Sequence, residues 1–193
     1  VNLIHQPLAD AHVRLEPLNH SHIAALAAAA DHDPSIFAHW PRDVSGGYAA
    51  EAEWLLAEQA SGRWLVHVVH DAAGRVVGQS CFLGIRPDHA GVEIGGTWYG
   101  QEAQGTHVNP AAKRLLLAHA FACGAERVEL KTDARNARSR AAILKLGAQF
   151  EGVFRHHMRR PDGTWRDTAW FSILSVEWPA IRDRLDLRLK RAS

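Results

Sequence analysis

Between Val92 and Gly147 the chain switches period from two to 3.6 and back, and this unit constrains the fold more than any other part of the sequence. Val92 to Tyr99 reads as a strand and Pro110 to Cys123 as a helix, apolar around much of its circumference and therefore buried. Arg127 to Thr132 reads as the next strand, and Ala137 to Leu146 as a helix stopped by Gly147. The pair Gly95-Gly96 inside the first strand predicts a bulge or a close approach to the backbone. Before this unit, Val13 to Leu18 alternates as a short strand. Asn19 or Ser21 then caps a helix through Ile23 to Ala30, and a second helix covers Ala49 to Gln59. Trp64–His70 and Arg75–Phe82 form a hairpin across Asp71-Ala72-Ala73-Gly74, and Phe150–Met158 and Trp165–Leu174 another across Arg160-Pro161-Asp162-Gly163. Trp178-Pro179 opens a polar C-terminal helix. No linker interrupts residues 1 to 193, so the reading is a single mixed α/β domain.

Composition narrows the function classes. Lys plus Arg (22) nearly balance Asp plus Glu (21), so the chain lacks the basic excess of a nucleic-acid binder. No apolar run spans a bilayer, and Val1 to His5 does not open a signal peptide. Two isolated cysteines, Cys81 and Cys123, read as reduced, buried thiols of a cytoplasmic protein. Thirteen histidines invite a metal reading. Yet His20/His22, His67/His70 and His156/His157 make no His-Glu-x-x-His or Cys/His finger pattern, and no metal site is predicted.

The segment Tyr99 to Pro110 carries the first chemical signal. It leaves a strand and enters a helix through a loop containing Gly100 and Gly105, with Asn109 read as N-cap and Pro110 as the first helical residue. Free amides and the helix dipole there favour an anion. Gly100 to Thr106 has the glycine spacing of a phosphate-binding loop, but no Lys precedes Thr106. No Gly-x-Gly-x-x-Gly follows a strand, so the dinucleotide reading fails as well. A pyrophosphate on some other cofactor remains.

At this point the sequence resembles the GCN5-related N-acetyltransferases, with Gln104, His107 and Asn109 at the key positions of the acetyl-coenzyme A loop. His107 and Asn109 replace the small residues that family prefers. Downstream, Asp133-Ala134-Arg135-Asn136-Ala137-Arg138-Ser139, Lys145-Leu146-Gly147-Ala148, Glu151-Gly152 and Pro161-Asp162-Gly163…Arg166-Asp167-Thr168 are similar to the RimJ/RimL-type branch. Arg14-Leu15-Glu16-Pro17-Leu18 is similar to it too, and the likeness runs from residue 13 to about 178.

The resemblance implies a mixed, mostly antiparallel sheet, splayed between its fourth and fifth strands, with helices on both faces. It implies acetyl-coenzyme A as cosubstrate, held by Gln104, Gly105, Thr106, His107, Val108, Asn109, Asn136 and Ser139. Asn136 also caps its helix, and Ser139 either makes a reciprocal capping contact or protonates the departing thiolate. The tyrosine acid of many relatives is replaced by Ile143, and the acidic base of some Rim-type enzymes by Met158. Glu93, on the strand face opposite Val92 and Ile94, is then the candidate base, with a surface-facing glutamate as its alternative and His156, His157 and Asp167 as runners-up.

Lys113, Arg114, Arg135, Arg138 and Arg140 form a basic cluster suited to phosphates. The acceptor, a small-molecule or peptide amine, is expected around His39-Trp40-Pro41, Tyr48 and Trp54. The alternative to catalysis is a coenzyme A-binding sensor, and homodimerisation is common in the family. His107 beside a pyrophosphate implies proton uptake on coenzyme A binding.

Overall fold

The computed structural model describes residues 1–191. Eight strands, β1 (Leu8–Ala9), β2 (Val13–Pro17), β3 (Trp64–Asp71), β4 (Val76–Arg86), β5 (Gly91–Tyr99), β6 (Arg127–Asp133), β7 (Gln149–Arg159) and β8 (Trp165–Leu174), form one sheet in the order β1-β2-β3-β4-β5-β6-β8-β7. Every pairing is antiparallel except β5 with β6. The two-residue β1, too short for a periodicity, is the strand the sequence did not reveal. The helices are α1 (Ile23–Asp31), α2 (Tyr48–Ala60), α3 (Val108–Ala122), α4 (Ala137–Leu146) and α5 (Trp178–Lys190). None is long and apolar enough to cross a membrane.

Two apolar layers flank the sheet. Beneath α3, α4 and α5 lie Leu15, Phe82, Val92, Ile94, Val128, Leu130, Phe171 and Ile173. Beneath α1 and α2 lie Val66, Val68, Cys81 and Trp98, with Phe37 stacked on Tyr48. Strand alternation sorts side chains between the layers: Phe82 points to one and Cys81 to the other. The local signals act as read. Asp71 Oδ1 accepts the N–H groups of Ala73 and Arg75 in the β3–β4 turn, where Gly74 supplies φ +80°. Asn136 Oδ1 accepts the Ser139 N–H at 3.0 Å to cap α4. Cys81 is buried and Cys123 half-buried, and both are free thiols.

Candidate active site

The sheet parts between β5 and β6. The two strands keep register only over Gly91–Glu93 against Arg127–Glu129. Beyond that, β5 bulges: two residues of β4, Gln79 and Cys81, span the same interval as Trp98 and Gly95. Gly96 has φ +55°, and a Cβ there would lie 2.9 Å from Trp64 and 3.0 Å from Cys81 Sγ, so the bulge requires glycine. The parting opens a cleft of about 660 Å3, lined by residues of both apolar layers.

At one end, Gln104, Gly105, Asn109, Asn136 and Ser139 line the cleft, whereas Thr106, His107 and Val108 do not. The side chain of Gln104 donates to Tyr99 O (2.8 Å) and accepts from Arg138 (2.5 Å), which ties the loop to β5 and α4. Helix α3 starts earlier than the sequence suggested. His107 is its N-cap residue, so Asn109 and Pro110 are the second and third helical positions. Proline is tolerated there because first-turn amides have no intrahelical partner. The cap comes instead from Thr106, whose Oγ1 accepts the Val108 N–H at 3.2 Å. The His107 ring packs against His12, with centroids 5.4 Å apart.

The basic cluster divides, with Lys113 and Arg138 in the cleft lining. Arg114 pairs with Asp186 (2.7 Å), Arg135 with Asp133 (3.5 Å), and Arg140 donates to Ala134 O (3.1 Å). Lys113 turns inward, 5% exposed, and donates to Ser80 Oγ at 2.8 Å and Thr97 Oγ1 at 2.5 Å beneath the bulge. Burial pushes its pKa down to about 7.

At the other end stands Glu93. Its neighbours Val92 and Ile94 enter the core beneath α3, while its own side chain faces the opposite way, as alternation requires. It is nonetheless buried, which removes the surface-facing alternative. Gly95 makes the room, since a Cβ there would sit 2.7 Å from Glu93 Oε1. Burial raises the Glu93 pKa, against the opposing pull of Lys131, whose Nζ lies 2.7 Å away. Lys131 also sits 4.9 Å from the centre of the Trp170 ring.

The expected acceptor groove divides. His39, Trp40 and Pro41 line the cleft. Tyr48 is a fully buried core residue whose hydroxyl accepts the Trp98 Nε1–H at 2.7 Å, and Trp54 lies outside the lining, with the Arg42 guanidinium 3.6 Å over its ring. Of the runners-up, His157 reaches the cleft and bonds Thr168 Oγ1 at 3.1 Å. His156, at φ +50°, stacks on Trp165, and its N–H is held by Asp167 at 2.7 Å.

Sequence reasoning missed Lys131, Asp133, Arg160 and Arg166. A signal existed for the first two: in Arg127-Val-Glu-Leu-Lys-Thr-Asp133, charged residues alternate with Val128, Leu130 and Thr132, so one face of β6 is ionic. Another group was invisible, because Glu16 Oε2 lies 3.2 Å from His22 Nε2 and 3.3 Å from His70 Nε2 across separate elements. The Asn19 N–H donates to His22 Nδ1, so a neutral His22 carries its proton on Nε2 and donates to the carboxylate.

A sheet parted between two parallel neighbours, with a helix N-terminus at one end of the parting and a buried carboxylate at the other, defines a coenzyme A-dependent acyltransferase. Residues 12–149 match the model of the acetyltransferase (GNAT) domain family. The chain is similar to a GCN5-related N-acetyltransferase from Brucella melitensis, with 31% identity over 97% of this chain and 86% of that one and a TM-score of 0.89. In fold it is also similar to Mycobacterium smegmatis RimJ in complex with CoA-disulfide (24% identity, 94% and 92% covered, TM-score 0.79). The ribosomal-protein-S5-alanine acetyltransferase from Vibrio fischeri shares the fold too (19%, 89% and 98% covered, TM-score 0.71). Curated proteins offer no significant match. The chain belongs to the GNAT acetyltransferase family and is an acetyl-CoA-dependent acyltransferase.

Proposed function

We propose that the protein transfers acetyl from acetyl-coenzyme A to a primary amine, a small molecule or a protein N-terminus, by direct attack. The observation that carries this reading is the continuity of one cleft from the β5–α3 loop to the Glu93 carboxylate. Gly105, at φ +75° with no atom within 4 Å of where a Cβ would be, leaves an open approach beside the α3 N-terminus. This suits a pyrophosphate at the helix end and a narrow pantetheine arm in the parting. Gln104, Gly105, Thr106 and His107 form the loop, Val108 and Asn109 open α3, and Asn136 and Ser139 stand at the start of α4.

The acceptor enters from the His39–Trp40 side. Its ammonium must lose a proton before it can attack, and a buried carboxylate of raised proton affinity is matched to that task. Glu93 takes the proton directly or through one water. The bulge amides of β5 polarise the thioester carbonyl, and the Ser139 hydroxyl gives a proton to the leaving thiolate. Lys113, braced under the bulge, holds β5 in shape for this.

Thiol release from acetyl-coenzyme A in the presence of peptides, polyamines or aminoglycosides tests the reaction. Glu93→Gln and Ser139→Ala should lower turnover and leave coenzyme A affinity nearly intact. Tight cofactor binding with no release from any amine would instead identify a coenzyme A-binding sensor.

A further inference from the structure

Arg166 lies within the field of Glu93 and Asp133 but is bonded to neither. Arg166, on β8 directly opposite Met158 of β7, lines the cleft and is 6% exposed. Its Nε is buried without a partner, and the side chain makes no hydrogen bond or ion pair among the described residues. Strand alternation puts it on the face away from Ala169, Phe171 and Ile173, which belong to the core beneath α3 and α5. That is the face of Glu93 and Lys131.

The surrounding charges are already matched to one another. Glu93 is held by Lys131 at 2.7 Å, and Asp133 by Arg160 at 2.6 Å, with His39 Nδ1 3.9 Å from the same Asp133 oxygen. His157 is bonded to Thr168. Lys131 and Arg160 thus hold the two carboxylates at bonding distance, and Arg166, buried in the lining, is left with no ion pair of its own. An uncompensated buried charge is costly, and a charge retained in a ligand cleft is matched by a charge on the ligand.

We propose that Arg166 anchors a carboxylate of the acceptor, so that the site takes amines that also carry a carboxylate: free amino acids, or peptides with an acidic side chain next to the N-terminus. The proposal rests on the amine-acetylation reading and adds the acceptor class to it. A carboxylate accepts two parallel N–H bonds from the guanidinium fork, which fixes the acceptor's orientation as well as its place. Its amine is then directed along the cleft towards Glu93. Polyamines, which bring only positive charge, are disfavoured by Lys131 and Arg166 together.

Calorimetric binding to the protein saturated with coenzyme A tests this without turnover. The probes are L-alanine against L-alanine amide, and a hexapeptide beginning Ala-Glu against its Ala-Gln counterpart. At least one acid should bind about 10- to 100-fold more tightly than its amide, as for a hydrogen-bonded charge pair. The pair that discriminates tells amino acid from peptide. Arg166→Gln should abolish the preference while coenzyme A affinity stays unchanged, and Arg166→Lys, which keeps the charge but not the fork, should retain part of it. Equal binding of acids and amides, no binding of either acid, or a preference that survives in Arg166→Gln overturns the proposal. Acid binding without thiol release from acetyl-coenzyme A overturns the transfer reading and leaves the carboxylate site standing. Thiol release with neutral amines and no acid preference does the reverse.

Discussion

The two sides of the parting are built differently. From β3 to β5 the strands carry apolar residues on both faces, packed beneath α1 and α2 on one and in the layer of α3 on the other. On β6 and β8 one face joins the core, β7 adds no residue to it, and the other face carries Arg127, Glu129, Lys131, Glu151 and Arg166. The first side offers a rigid bulged strand and the second an ionic surface. The two meet at Glu93, which gains both burial and the Lys131 counter-ion there. Glu93–Lys131 and Arg127–Glu151 show the contrast: the same kinds of charge pair, one buried in the parting and one on the open face.

The sharpest way to break the comparison is Glu93→Gln. If the parting confers base function on this carboxylate, turnover falls about 10²- to 10⁴-fold. The wild-type rate falls on acidification as Glu93 takes up its proton, at a pH above the ordinary glutamate value, and the variant lacks that limb. A pH–rate profile for each decides it.

On the covered side, burial works without a counter-ion. The Lys113 pKa drops from 10.5 to about 7, so between those values the unfolded chain binds a proton that the folded one does not. Stability should therefore rise with pH over that window, by on the order of 5 kcal/mol from this group. Urea unfolding of wild type and Lys113→Met at pH 7 and pH 10 should show the rise only in the wild type.

His67 sharpens the same point from the acid side. It is fully buried, its Nε2 bonded to Gln6 O at 3.1 Å, and burial pushes its pKa down to about 3, with the His5 charge adding to the effect. Unfolded, it protonates near 6.5, so stability is lost as pH falls from 6.5 towards 3. His67→Phe should be less sensitive to acid by a few kcal/mol over that range, as read by thermal melts at pH 6.5 and 4.5.

The smallest effect belongs to the open face. Glu151 pairs with Arg127 and accepts from Ser172 at 2.8 Å, but its side chain is 37% exposed. Solvent screening should hold the cost of Glu151→Gln to about 1 kcal/mol or less, measured by denaturant midpoint. A larger loss would mean that the open face is less solvated than its exposure indicates.

Much of the fold was legible along the chain. The hairpin turns, the Asn136 cap, the Gly147 stop and the Gly95-Gly96 bulge act within a few residues, so their residue types are sufficient evidence. The start of α3 was misplaced because the capping hydroxyl comes from Thr106, while Asn109 lies within the first helical turn. The site was less legible. Its charged members were visible as residues, but their partners lie on other strands.

By itself, the sequence determined the order of elements, the alternation that turns Glu93 away from Val92 and Ile94, and the glycines that let β5 bulge. Periodicity and backbone permissiveness are local properties. Only the tertiary structure decided that Lys113 is buried against Ser80 and Thr97, that the His107 ring meets His12, and that Glu93 is buried against Lys131. It also decided that Arg166 Nε is buried without a hydrogen-bond partner. Those outcomes depend on which distant side chains share a low-dielectric space, and charges there are set by neighbours far away in sequence.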